Sequence, residues 1–104
     1  MHEDGTSKPR PALLASTAAY AAEKNLVWAM KITTTERLDT DVIALDPAQP
    51  EWPLTGLRKA CFLYVGKIQT IPPTGLIRKY GEIPPALAAR VRDLMKSLTG
   101  LNIP

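Results

Sequence analysis

An arginine stands between two prolines in the stretch KPRPALLAST, Lys8 to Thr17, at the mouth of an apolar run. Each proline fixes its own φ and biases the residue before it toward extended backbone, so Arg10 is held stiffly. A guanidinium is planar, always charged and able to grip two oxygens of a carboxylate or phosphate at once. A cluster of hydroxyls, Thr33, Thr34 and Thr35, closes a later apolar run, NLVWAMKIT. A hydroxyl can donate to the same kind of oxygen. An exposed loop charge and an ordinary strand threonine account for the same residues without any chemistry.

Other familiar arrangements are missing. The chain has no glycine-rich phosphate loop, no Cys/His metal spacing and no GxSxG turn, and with His2 its only histidine it lacks the histidine pair of a conventional ribonuclease. Cys61 is the only cysteine and reads as a small buried strand residue rather than a nucleophile. The N-terminal residues lack the apolar core of a secretory signal, and no apolar run approaches the roughly 18 residues of a membrane span. A cytoplasmic protein with no membrane partner is expected. Net charge is only +3, but residues 1–50 hold 5 Lys/Arg against 7 Asp/Glu, whereas residues 51–104 hold 8 against 3. The second half thus carries +5. A polyanion would feel it if Arg58, Lys59, Lys67, Arg78 and Lys79 share a face; a solvated basic surface is the plainer reading.

The elements that must position these residues follow from periodicity. At 104 residues the chain is one domain, with residues 1–7 expected to be flexible. Ala12 to Ser16 reads as a strand entered from the arginine loop, and AAYAAEKN as a short connection with about one helical turn. Asn25 to Thr33 alternates with period two, sending Leu26, Trp28, Met30 and Ile32 toward a core and Val27, Ala29, Lys31 and Thr33 away from it. These two strands are expected to pair antiparallel. Asp41 to Asp46 is a third strand, and PAQPEWPLTG is too rich in proline for a ladder and too apolar for a free linker. Leu57 to Ile71 returns to β chemistry with Gly66 as a bulge or bend, PPTG is a turn, and Leu76 to Tyr80 is a last short strand. A helix over about 84–99 carries the stripe Leu87, Val91, Leu94, Met95 and Leu98 and stops at Gly100. The class is mainly β with α.

In chain order, KPRPALLAS, VWAMKITT, LYVGKIQTI and LIRKYGEIPPALAARVRDLMKSLTGL resemble the MazF/PemK family of toxin endoribonucleases from prokaryotic toxin–antitoxin systems. That family typically shows an Arg-Pro-Ala stretch, a strand ending in Ile-Thr or Cys-Thr, a Lys-Ile-x-Thr-Ile-like strand and a closing Pro-containing helix. The resemblance implies a small SH3-like barrel of bent antiparallel strands with a C-terminal helix. It further implies a homodimer that cleaves single-stranded mRNA through 2′-OH attack, needs no metal or other cofactor, and is held in check by a cognate antitoxin protein. The catalytic arginine and threonine fall on Arg10 and Thr33, and Lys8, Ser16, Lys31, Thr34 and Lys67 are the expected RNA contacts. Two departures stand out. The residue before Lys67, often acidic in the family, is Gly66, and the chain starts inside the arginine loop, without the family's usual first strand, which would leave a sheet edge unpaired. The same fold without catalysis, poisoning gyrase as CcdB does or merely retaining an antitoxin, is the alternative.

Overall fold

Prolines and glycines cut the chain into short extended segments, and the sheet they build is what carries the candidate site. A computed structural model describes residues 2–4, 10–36 and 39–101. Six strands, β1 (His2–Asp4), β2 (Arg10–Leu14), β3 (Val27–Thr33), β4 (Val42–Leu45), β5 (Cys61–Ile71) and β6 (Leu76–Lys79), are joined by helices α1 (Ala18–Lys24), α2 (Trp52–Thr55) and α3 (Pro85–Thr99). They form one sheet in the order β4-β5-β3-β2-β1-β6, with every described pairing antiparallel. The protein is therefore mainly β with α, as the periodicity suggests.

The curl of the sheet comes from β5. On β3 the register advances by one residue from Met30 to Lys31, while its partner on β5 jumps from Ile68 to Tyr64. The extra residues on β5 form a bulge around Gly66, which bends the strand and increases its local twist. A Cβ at Gly66 would meet the Asp41 carboxylate, which would have to swing aside, while the Asp41 carbonyl accepts a hydrogen bond from the Val65 N–H at 2.9 Å. Inside the curl, Leu13, Met30, Ile32, Ile43, Leu45, Cys61, Leu63 and Val65 form the core with Leu87 and Val91 of α3. Alternation then turns Arg10, Ala12, Lys31, Thr33, Phe62 and Tyr64 to the other face.

The helix α3 opens with Pro84 as its cap and Pro85 in its first turn, positions where a missing N–H costs nothing, and ends at Gly100 with φ +71°. Leu87 and Val91 are buried and Leu94 and Met95 pack partly against the core, whereas Leu98 is exposed. The stripe therefore docks by its first half.

Several expectations need correction. The first strand is present: His2–Asp4 pairs with β2 on one side and β6 on the other, so a polar segment with no alternation of its own gains its strand geometry from two ladders. Arg10 is the first residue of β2, paired with Asp4, and is held by strand pairing, not by a free loop. The connection after β2 is a seven-residue helix rather than one turn, because the Thr17 hydroxyl accepts from the Tyr20 N–H and Asn25 takes the left-handed C-cap conformation. Trp28 is 38% exposed, its ring meeting Tyr20 of α1 edge-on at 5.6 Å, because that end of β3 faces α1 and not the core. Its strand neighbours Val27 and Ala29, expected to point outward, are nonetheless buried. In the proline-rich segment Trp52 packs against the core, whereas Leu54 is half exposed.

Candidate functional site

The β2–β3 ladder pairs Ala12 with Lys31, Leu13 with Met30 and Leu14 with Ala29. The ladder ends at Ala12–Lys31; Arg10 and Thr33 lie two residues beyond it, at the same end of the sheet, and alternation turns both away from the core. The next strand extends these rows, since β5 sets Phe62 opposite Thr33 and Tyr64 opposite Lys31. Thr33 thus has Phe62 on one flank, Lys31 one step along the same face of its own strand, and Arg10 at the same end of the neighbouring strand β2.

Local bonds fix these groups. The Thr33 hydroxyl oxygen accepts from the Thr35 N–H at 3.2 Å, which bends the chain at the strand end and leaves the hydroxyl proton free to be donated elsewhere. The Tyr64 hydroxyl donates to the Asp39 carboxylate at 2.9 Å, and the Lys67 ammonium stands 5.0 Å from the centre of the Tyr64 ring, a cation–π distance. Lys31, Thr33, Phe62 and Tyr64 are all half-buried. The result is a face on which three cations, a hydroxyl and two aromatic rings share neighbouring positions.

Of the residues singled out from sequence, Arg10, Thr33, Lys31 and Lys67 come together there. Thr34 follows Thr33 but turns to the core side of the same sheet end, where it lines a separate pocket. Ser16 lies at the other end of the β2–β3 pair, roughly 20 Å along the strand direction from Arg10 by strand rise. Its hydroxyl accepts from the Trp28 N–H at 2.9 Å, an anchoring role where β2 ends. Lys8 lies outside the described residues. The basic set of the second half divides: Arg58 and Lys59 line the pocket beside Thr34, Lys67 sits on the outer face, and Lys79 pairs with Glu82. The side chain of Arg78 lies outside what the structure describes. Phe62 and Tyr64 were not anticipated; their alternation with the core residues Cys61, Leu63 and Val65 is the signal that could have found them.

Cys61 is 3% exposed, and burial pushes its thiol up from 9.0 to about 11. At neutral pH it is protonated and a poor nucleophile. Among the described residues no three His, Cys, Asp or Glu side chains gather closely enough to hold a metal ion. No described helix is long and apolar enough to cross a membrane.

A bent antiparallel sheet packed against a C-terminal helix is a small α+β fold of the MazF toxin type. The solved structures that share it include the Mycobacterium tuberculosis toxin MazF-mt6, with a TM-score of 0.80 at 22% identity over 98% of this chain and 97% of that one. A mycobacterial endoribonuclease in complex with its cognate antitoxin gives a TM-score of 0.76 at 22% identity, covering 99% and 93% of the two chains. A MazE–MazF structure from Deinococcus radiodurans gives 0.74 at 22% identity over 97% and 93%. No family model matches the sequence and no curated protein matches it. At these identities the likeness is one of fold.

Proposed function

We propose that the protein is a toxin endoribonuclease that cleaves single-stranded mRNA through attack of a 2′-OH on its own phosphodiester. What supports this reading most is the β2–β3 pairing, which leaves Arg10 and Thr33 at the same sheet end with Lys31 on the same face. In the reaction the O2′–P bond forms as the P–O5′ bond breaks, leaving a 2′,3′-cyclic phosphate and a free 5′-hydroxyl. One proton leaves O2′ and one is delivered to O5′. The phosphate gains negative charge on the way, so a fixed guanidinium that grips its oxygens lowers the barrier more than it stabilises the ground state. Arg10 supplies that charge, and Thr33 donates its hydroxyl proton to a phosphate oxygen. Lys31 and Lys67 hold flanking phosphates, while the half-buried rings of Phe62 and Tyr64 offer faces on which unpaired bases stack. The chemistry needs no bound metal.

The fold-mates solved with an antitoxin support an antitoxin partner; the homodimer and its place in the cell are further parts of the proposal. The chain works as a homodimer in the cytoplasm, and a cognate antitoxin silences it by laying a partly disordered segment over the RNA-binding surface. The test is purified protein on single-stranded RNA in the presence of a chelator, beside Arg10→Ala. Wild-type cleavage that the alanine variant loses supports the enzyme. Growth arrest in cells without RNA cleavage by either protein favours the non-catalytic alternative, a binding toxin of the same fold.

A further inference from the structure

At the sheet end that carries Arg10 and Thr33, but on the core side, lies a pocket of about 240 Å³ lined by Pro11, Thr34, Leu57, Arg58, Lys59 and Tyr80 among others. Pro11 and Thr34 are the chain neighbours of Arg10 and Thr33, and strand alternation turns them to the opposite face. The pocket therefore begins where the candidate site ends. Its two wall materials differ. Pro11, Leu57 and the half-buried Tyr80 provide apolar surface, whereas Arg58 and Lys59 are exposed cations with no ion pair among the described residues. The shape depends on Gly56, whose φ of +71° admits glycine readily and whose missing Cβ lets the loop close on the Tyr80 carbonyl.

We infer that this pocket is the binding site for one nucleotide flanking the scissile bond, its base on the Pro11–Leu57–Tyr80 surface and its phosphate held by Arg58 and Lys59, with the Thr34 hydroxyl as a further polar contact. This rests on the endoribonuclease reading and extends it. The volume is below the roughly 300 Å³ at which pockets begin to take drug-sized ligands, so it suits a single base, not a run of them. A base and a phosphate together need an apolar surface beside a cation. The RNA must wrap over the end of the β2–β3 pair to reach both faces, which a duplex cannot do and a splayed single strand can. The pocket thereby adds a preference for single strands and reads the identity of one base.

Arg58 and Lys59 are exposed, so the double variant Arg58→Ala/Lys59→Ala should keep the wild-type melting temperature. The experiment takes one RNA oligonucleotide that the wild type cleaves and a set of copies with a single abasic ribose at each position around the cut. The wild type should lose affinity at one flanking position. The double variant should raise KM roughly 10- to 100-fold at nearly unchanged kcat, the range expected for lost charge-assisted contacts, and should no longer sense that abasic position. A variant with wild-type KM and the wild-type abasic profile overturns the pocket assignment while leaving the nuclease intact. If the wild type cuts no RNA, a 2′-O-methyl oligonucleotide of mixed sequence replaces the substrate. Binding that the double variant loses then supports the pocket against the nuclease, and equal or absent binding overturns both.

Discussion

In the proposed reaction Arg10 and Thr33 act on one phosphate in different ways, and substitutions can separate them. Thr33 acts through a single proton, so Thr33→Ser should keep most activity, while Thr33→Ala should lower kcat roughly 10- to 100-fold, the range for one hydrogen bond to a charged group. Steady-state cleavage rates check this, and equal losses in the two variants would point to a structural role for the side chain. Cys61 offers a second test at this scale. Its thiol ionises near 11 in the folded chain against 9.0 when unperturbed, so between those values the unfolded state binds fewer protons and stability falls as pH rises. Denaturant titrations from pH 8 to 11 should show that fall, and Cys61→Ala should flatten it. Native Cys61 should also be alkylated about 100-fold more slowly at pH 8 than an ordinary thiol, by its smaller thiolate fraction. The two residues at the centre of the proposed site each carry a local mark in the sequence, prolines around Arg10 and the end of an apolar run at Thr33. That they share one sheet end was not legible, since it depends on strand pairing. The same limit explains Ser16, whose position after an apolar run says nothing about which end of the sheet that run finishes at.

The bulge in β5 is the element that shapes the site, because it bends the strand holding Phe62, Tyr64 and Lys67. The Asp41 carboxylate fills the space a side chain at Gly66 would need, so Gly66→Asp should destabilise the fold by about 1–3 kcal/mol through overpacking and like charge. Adding Asp41→Gly should recover part of that loss in thermal or denaturant unfolding; a double variant no better than the single one would contradict the packing argument. Leu87→Ala in α3 removes a buried side chain (6% exposed) from the core and should cost about 2–5 kcal/mol in denaturant unfolding. Periodicity alone gave the main strands and α3, whose apolar stripes are long enough to mark a face. It missed β1, whose three residues His2–Asp4 show no alternation and become a strand only between β2 and β6. The extent of α1 was written in Thr17 and Asn25, a cap at each end, and the run of alanines between them concealed it. Trp28 was misplaced because alternation says which way a side chain points and not what lies there.

Across the whole molecule, the uneven charge of the two halves does not become one basic face. Arg58 and Lys59 stand by the core-side pocket, Lys67 stands on the outer face beside Tyr64, and Lys79 is paired with Glu82. Arg10 and Lys31, from the acidic half, complete the outer surface, so folding gathers cations that the sequence keeps apart. An RNA strand crossing the end of the β2–β3 pair meets cations on both sides and a guanidinium with a hydroxyl between them. The claim beneath this picture is that Arg10 and Thr33 act on the same phosphodiester. A double-mutant cycle on RNA cleavage, comparing the wild type with Arg10→Ala, Thr33→Ala and the two combined, measures that most directly. Arg10→Ala should lose about 100- to 1000-fold in kcat, and the combined variant should lose far less than the product of the single losses. Losses that simply multiply, or an Arg10→Ala enzyme that cleaves as fast as the wild type, would contradict it.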